Sequence, residues 1–188
     1  MIAQLYRWGT VVEFLILFET VEGQTRKIVD RVDQQLSAAG HGVRLFNTED
    51  RLASLSFDDI DKVILAAPVH ERRHPKSFEV LIGSSLSDLK SRQTLLISVS
   101  LKAAFPEGMA EAQDYLKEME MRTDFEPDFR ALTAGAVRTS SYDYFESQVV
   151  QHVALDGRDV DLVNGVHEFT DWDKLHADVA EFISATPS

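Results

Sequence analysis

Residues 14–28, FLILFETVEGQTRKI, contain the pattern that decides the fold. The apolar run Phe14–Phe18 predicts a buried strand, and the helical pattern that follows predicts a helix almost directly after it. The short polar loop between them contains Thr20, Gly23 and Thr25. Because the start of a helix leaves main-chain N–H groups without partners and carries partial positive charge, this loop suits a bound phosphate.

Four residues shape the predicted phosphate site. Gly23 lets the main chain turn and approach an anion closely. Thr20 and Thr25 offer hydroxyl donors, and each hydrogen bond to a charged group contributes roughly 1.5–3 kcal/mol. The carboxylate of Glu22 would repel a bound phosphate, at a cost of about 3 kcal/mol for a separation of about 6 Å and an effective dielectric of about 20. Several donors outweigh this cost if Glu22 points into solvent. The alternative is an ordinary strand-to-helix turn with threonine caps, and the loop alone does not decide between the two.

The composition indicates an acidic globular protein with one domain. A length of 188 residues suits one domain with a full core. The formal net charge of -12 argues against binding to nucleic acid or to anionic lipid. The chain has no cysteine, which excludes disulfides, thiolate metal sites and cysteine nucleophiles. Since no apolar run approaches the ~20 residues of a transmembrane helix, we expect no integral membrane span and a cytoplasmic location.

Strands and helices alternate along the chain. We expect a single domain over residues 1–188, with 1–10 as a loose extension and 139–168 as an insert before the last helix. The predicted strands cover residues 14–18, 43–46, 63–67, 95–99 and 131–137. The predicted helices begin after Gly23, at Pro75, at Pro106 and at Thr170, where Asp173 completes a capping-box-like start. This alternation predicts a doubly wound α/β sheet whose ligand lies at the carboxyl ends of the strands.

Basic residues are concentrated in the loops expected at that edge, which are residues 20–25, 67–75, 99–106 and 135–140. The set consists of His70, Arg72, Arg73, His74, Lys102 and Arg138. In an acidic chain this concentration favours an anionic ligand. The alternative is a set of solvated charges, each paired with a nearby acid. We expect no metal site, because the histidines lack accompanying ligands at a recognisable spacing. His41, His152, His167 and His176 are expected away from the crevice.

With these residues in view, the chain resembles the flavodoxin superfamily and, within it, the flavodoxin-like menaquinone-dependent protoporphyrinogen oxidases of bacteria. The resemblance runs over nearly all of residues 12–185. The segments that carry it are Leu15–Phe18 with the loop Thr20–Arg26, the strand Val63–Ala67, Ser98–Leu101, Ala134–Arg138 and Phe169–Trp172.

The resemblance implies a five-stranded parallel sheet in the order 2-1-3-4-5 with helices on both faces. It implies FMN as cofactor and a flavin that takes electrons from protoporphyrinogen and passes them to a quinone, with the inner membrane surface as a further option for location. The residues implied to hold FMN are Thr20, Val21, Glu22, Gly23, Gln24 and Thr25 for the phosphate, and Pro68, Val69, His70, Ser100, Leu101 and Lys102 around the ring. Arg72, Arg73, His74 and Arg138 are candidates for binding substrate carboxylates.

Three functions stay open at this point. The first is an FMN oxidoreductase that acts on a carboxylated reductant, with a quinone or a redox protein as acceptor. The second is a one-electron-transfer flavodoxin that docks a basic partner through its acidic surface. The third is a flavodoxin-fold domain that has lost flavin, since Glu19 replaces a small residue before the phosphate loop and segment 68–74 lacks a tyrosine-glycine pair. Homo-oligomerisation also stays open.

Overall fold

The structure, a computed structural model, describes residues 11–50, 53–138 and 166–186. Its strands are β1 Glu13–Phe18, β2 Gly42–Asn47, β3 Lys62–Pro68, β4 Gln93–Ser100, β5 Phe129–Ala134, β6 Ala136–Arg138 and β7 Val166–Glu168. Its α-helices are α1 Gln24–Ala38, α2 Lys76–Ser84, α3 Leu86–Lys90, α4 Met109–Thr123 and α5 Trp172–Ser184. Two 3-10 turns, Lys102–Ala104 and Pro106–Gly108, precede α4.

Five parallel strands form the main sheet in the order β2-β1-β3-β4-β5, which confirms the predicted fold class. β1 pairs with β2 on one side and with β3 on the other, with Leu15 opposite Val63. The strand order therefore switches direction at β1 and β3. In doubly wound sheets a ligand crevice opens outside the carboxyl ends of the strands at this switch point. The loops after β1 and β3 leave the sheet there.

Each face of the sheet has its own apolar core. On one face Ile16 and Ile64 pack with Val32 of α1 and Val179 of α5. On the other face the strands pack against apolar residues of α2, α3 and α4, among them Phe78, Leu89 and Leu116. The alternation of side chains along each strand sends successive residues to opposite faces, and helices cover both.

Several helix boundaries differ from the predicted ones. The sequence predicts one helix after Pro75, but a break at Ser85 divides this segment into α2 and α3. Pro106 begins a 3-10 turn, and α4 itself begins at Met109. The turn before α4 is tight because a Cβ on Gly108 would lie 2.3 Å from the carbonyl oxygen of Lys102.

The predicted strand over residues 131–137 is wrong as a single strand. β5 ends at Ala134, and β6 leaves the main sheet to pair antiparallel with β7. The change occurs at Gly135, whose N–H donates to Ser100 at 3.4 Å while its carbonyl accepts from the N–H of Phe169 at 3.0 Å. The chain thus exchanges its partner in β4 for the segment that precedes α5.

The N-cap of α5 also differs from the prediction. Asp171 caps the helix by accepting the Lys174 N–H at 2.9 Å, whereas the Thr170 hydroxyl donates to the Ala134 carbonyl at 2.8 Å. The predicted insert lies outside the described residues except for its last three, which form β7. The extension over 1–10 lies outside them as well. None of the described helices combines the length and apolarity that crossing a bilayer requires.

Candidate functional site

The loop between β1 and α1 has the geometry of an anion-binding turn. Gly23 adopts the left-handed conformation, with φ of 87°, and its N–H donates to the Thr20 hydroxyl oxygen at 3.1 Å. The Thr20 hydroxyl therefore keeps its own proton for donation. The described side chains provide no cap for the start of α1, and its first turn contains no acidic residue. Main-chain N–H groups of that first turn are thus available to an anion.

The other side chains of this loop are placed differently from one another. Thr25 is buried, Glu22 is half-buried, and Val21 is 60% exposed. Gln24 is buried, and its amide donates to the Thr170 hydroxyl oxygen at 2.9 Å. This bond ties the start of α1 to the segment before α5, which sequence reasoning did not predict. Gln24 can therefore reach a phosphate through its main-chain N–H while its side chain serves the contact with Thr170.

Glu19 immediately precedes this loop and is 5% exposed. Its carboxylate accepts hydrogen bonds from the hydroxyls of Thr48 and Ser77, the latter at 2.8 Å to both oxygens. These donors come from the end of β2 and from α2, so Glu19 joins three segments at the carboxyl edge of the sheet. Glu19 stands where the family resemblance leads us to expect a small residue. Its buried carboxylate is stabilised by these hydroxyl donors.

The loop after β3 turns back on itself between His70 and Arg73, whose main-chain groups exchange two hydrogen bonds of 2.9 Å. The two central residues, Glu71 and Arg72, have φ of 46° and 66°. Positive φ at both central positions is the pattern of a type I′ turn, which favours glycine and asparagine. Left-handed conformations cost roughly 1–2 kcal/mol for other residues, so contacts elsewhere must hold this turn.

His74 closes this loop and is 1% exposed, which contradicts its predicted role in contacting a substrate. Its Nε2 lies 2.9 Å from the Ser98 hydroxyl, and its Nδ1 is buried without a partner. Burial lowers the pKa of His74 from 6.5 to about 4, with smaller effects of Glu79, which raises it, and of Arg122, which lowers it. The imidazole is therefore neutral at pH 7 and anchors the loop to β4.

Three basic residues of the crevice, Arg72, Arg73 and Lys102, are paired with acids. Arg73 contacts Glu79 of α2 at 2.6 Å, and Arg122 of α4 contacts the same carboxylate at 2.8 Å. Burial acts to raise the pKa of Glu79, but hydrogen bonds from Arg122 and Arg73 outweigh it and leave the pKa below its ordinary value. The alternative of paired loop charges is therefore correct for Arg73.

Arg72 and Lys102 share one carboxylate, that of Glu111 in the first turn of α4. Arg72 Nη1 lies 2.5 Å from Oε1 and Lys102 Nζ lies 3.2 Å from Oε2. The Tyr115 hydroxyl donates to the same group, and this bond is the main cause that keeps the pKa of Glu111 below its ordinary value. The sequence does not indicate that Glu111 contacts both loops, because Arg72 lies 39 residues before it in the chain.

The remaining predicted residues occupy the expected edge. Pro68 ends β3, and the Val69 N–H donates to the Val99 carbonyl at 2.8 Å. Ser100 ends β4, and its hydroxyl accepts the Ala103 N–H at 3.3 Å. His70 is exposed, and Leu101 is half-buried. Arg138 ends β6, and its proposed role stays a prediction.

His167 was expected away from the crevice, as a surface or packing residue. Its ring packs 4.4 Å from that of Phe169, which in turn lies 5.5 Å from the ring of Phe105 in the loop after β4. His41 packs against Phe14 at 5.4 Å. His152 lies outside the described residues. Among the described residues no cluster of potential metal ligands occurs.

Comparison with known proteins identifies the family. The family model described as a flavodoxin domain matches residues 15–160. The protoporphyrinogen IX dehydrogenase [quinone] of Escherichia coli K12 is 26% identical over 163 residues, which cover 86% of this chain and 89% of that protein. A protein of the same name from Leishmania major is 23% identical, with coverage of 89% and 73%.

A solved structure supports the same assignment at the level of the fold. Oxidised flavodoxin 1 from Bacillus cereus superposes with a TM-score of 0.55 and 14% identity, covering 93% of this chain and 99% of that one. The strand order of the main sheet agrees with this likeness. The chain therefore belongs to the flavodoxin domain family.

Proposed function

We propose that this protein is an FMN-dependent oxidoreductase that takes electrons from a carboxylated reductant, such as a porphyrinogen, and passes them to an acceptor such as a quinone. The observation that carries the proposal is the loop from Thr20 to Thr25, which leaves main-chain N–H groups of α1 available at the switch point of the sheet. The names of the relatives from Escherichia coli and Leishmania major support the reductant and the acceptor.

The donor set fits a phosphate group. The left-handed Gly23 has nothing within 4 Å of the position that a Cβ would occupy, so an anion can approach the main chain there. Thr20 and Thr25 would donate their hydroxyls, with the main chain of Val21, Glu22 and Gln24 completing the loop. The negative charge of Glu22 makes phosphate binding less favourable, but several charge-assisted hydrogen bonds outweigh the repulsion from one screened carboxylate.

The ring of the cofactor would lie between the loop Pro68–His70 and the loop Ser100–Lys102. FMN, when bound, supplies the redox chemistry, and the residues of this chain supply position and electrostatics. Arg72 is a candidate for a substrate carboxylate because its side chain is 63% exposed and its contact with Glu111 uses one of five N–H donors. Arg73 is a weaker candidate, since it holds the buried Glu79.

A visible spectrum and a turnover assay test the proposal. The purified protein should carry the visible spectrum of oxidised flavin, or acquire it on titration with FMN. The flavin-loaded protein should then oxidise a porphyrinogen in the presence of a quinone, with an oxygen-only reaction as the control. A flavin-loaded protein without turnover would exclude this reductant, and a protein that does not respond to FMN would exclude the cofactor.

A one-electron carrier is the second candidate, favoured by the formal net charge of -12, which suits docking to a basic redox partner. A redox titration separates the two: a carrier should show a stable one-electron step, and an enzyme of the first kind need not. The third candidate, a domain without flavin, rests on the buried carboxylate of Glu19 beside the phosphate loop. It predicts a colourless protein whose melting temperature FMN does not change.

A further inference from the structure

Glu111 connects two loops that leave neighbouring strands. Arg72 belongs to the loop after β3, Lys102 belongs to the loop after β4, and both contact the Glu111 carboxylate at 2.5 and 3.2 Å. Pro68 at the end of β3 is opposite Val99 near the end of β4, so the two loops begin side by side. A single side chain of α4 therefore links the two loops.

The contact is partly removed from water. Tyr115 is 4% exposed, donates its hydroxyl to Glu111, and has the Arg72 guanidinium 5.3 Å above the centre of its ring. The side chains of Glu111 and Lys102 are 29% and 22% exposed. A charge cluster that is backed by a buried aromatic ring is screened less by solvent than an exposed ion pair. We call Arg72, Lys102, Glu111 and Tyr115 the clasp.

The main chain at Arg72 is strained and requires contacts such as those of the clasp to hold it. Glu71 and Arg72 both adopt left-handed conformations, which glycine would adopt without strain. Strain of this kind persists where the surrounding contacts over-determine the conformation, and it is concentrated at ligand sites. Glycine at position 72 would relieve the strain but could not reach Glu111. Position 72 is instead occupied by an arginine, which makes the link to Glu111.

We propose that Glu111 is a positioning residue that holds the two loops flanking the flavin ring at a set separation through Arg72 and Lys102. The inference rests on the proposed function, because it concerns the same site. The side chains of Arg72 and Lys102 contact Glu111 of α4, and these contacts hold the main chain of both loops in position for the ring. Preorganisation of this kind raises affinity by reducing what must be ordered on binding.

Glu111→Gln tests the proposal, because it keeps the shape of the side chain and removes its charge. We expect the dissociation constant for FMN to rise about tenfold, equivalent to about 1.4 kcal/mol, and the midpoint potential of the bound flavin to shift. The melting temperature of the protein without FMN should change little. Asp114→Asn is the matched control, since it removes one exposed carboxylate from the same helix and should leave both quantities unchanged.

Arg72→Gly separates positioning from stability. Because it removes left-handed strain, the melting temperature without FMN should be maintained, while the affinity for FMN should fall as in Glu111→Gln. The double variant should lose no more affinity than Glu111→Gln alone, because Glu111→Gln already weakens the contact with Arg72. Losses that add fully would overturn the proposal, as would unchanged affinity and potential in Glu111→Gln. A wild-type protein that fails to bind FMN would overturn the proposed function and the clasp together, whereas normal wild-type binding with unaltered variants overturns the clasp alone.

Discussion

The amino edge of the sheet and the loops at its carboxyl edge use charged side chains for different contacts. At the amino edge, the buried Lys62 donates to main-chain carbonyls at the end of α5, at 2.7 to 3.2 Å. Arg92 does the same for the carbonyls of Phe57 and Ile60, each at 3.0 Å. In the loops after β3 and β4, Arg72 and Lys102 instead contact a carboxylate of another side chain.

The difference indicates where the molecule is built to stay fixed and where it can accept a ligand. A main-chain carbonyl is fixed by the helix to which it belongs. The ammonium group of Lys62, which binds three such carbonyls, therefore makes fixed contacts at that edge. A side-chain carboxylate can rotate away or share its partners with an incoming anion. The left-handed turn at Glu71 and Arg72 and the uncapped start of α1 belong to the same carboxyl edge. The uncapped start of α1 and the left-handed pair thus lie where a ligand would bind, whereas the left-handed Asp59 and Asp124 precede β3 and β5 at the amino edge.

The largest expected effect is at the phosphate loop. Gly23→Asp combined with Thr25→Val should abolish FMN binding, with a dissociation constant raised at least about 100-fold, because it adds a negative charge and removes a hydroxyl donor. The fold should persist, since aspartate tolerates the left-handed conformation. Fluorescence titration and far-UV circular dichroism measure the two properties. Gly40→Asp is the control, because Gly40 has φ of 85° at the other end of α1, and that variant should bind FMN normally. Equal affinity in the two variants would refute the phosphate site.

The second effect concerns pH and the buried His74. Above pH 6.5 the imidazole is neutral in the folded and the unfolded chain. Between pH 6.5 and about 4 the unfolded chain binds a proton that the folded chain does not, so the free energy of unfolding should fall by up to about 3 kcal/mol as the pH is lowered. Urea denaturation at several pH values measures this slope, and His74→Gln should reduce it. Ser98→Ala should retain it, because burial causes the shift in pKa. A slope that is identical in wild type and His74→Gln would show that His74 is not responsible.

The smallest effect is at the amino edge. Lys62→Met leaves the carbonyls at the end of α5 without their donor, and the free energy of unfolding should fall by about 1–3 kcal/mol. FMN affinity should not change, since the substitution lies at the edge opposite the phosphate loop. Lys174→Met removes an exposed ion pair with Asp178 on the same helix and should have a smaller effect on stability. If Lys62→Met weakened FMN binding, the separation between the two edges would be wrong.

Local patterns were sufficient to predict β1, the phosphate loop and α1, because an apolar run, a glycine and a helical periodicity are all contained in 15 consecutive residues. The strand order followed from the resemblance and is confirmed. The division of residues 131–137 was missed because Gly135 interrupts an otherwise apolar run without changing its hydropathy. Thr170 was assigned as the N-cap because it is followed by an acid at the right spacing, but Asp171 makes the capping bond.

The candidate site was predictable only in part. His74 lies in a basic segment, which suggested a solvated residue, whereas it is buried against β4. Glu79 and Glu111 were not singled out, although they pair with three of the arginines and with Lys102. Glu111 is 39 residues from Arg72 and Arg122 is 43 residues from Glu79, although Glu79 itself is only 6 residues from Arg73. The sequence shows which residues are charged but not which of them form ion pairs in the folded protein.

The sequence by itself determined the class of the fold, the place of the crevice and the loop that suits a phosphate. Those properties depend on hydrophobic periodicity and on the conformational freedom of glycine, which act over a few neighbouring residues. The tertiary structure decided which basic residues are engaged, which histidine is buried, and which carboxylate joins the two loops. Those properties depend on the packing of α2 and α4 against the sheet, since desolvation and ion pairing arise only when distant segments come together.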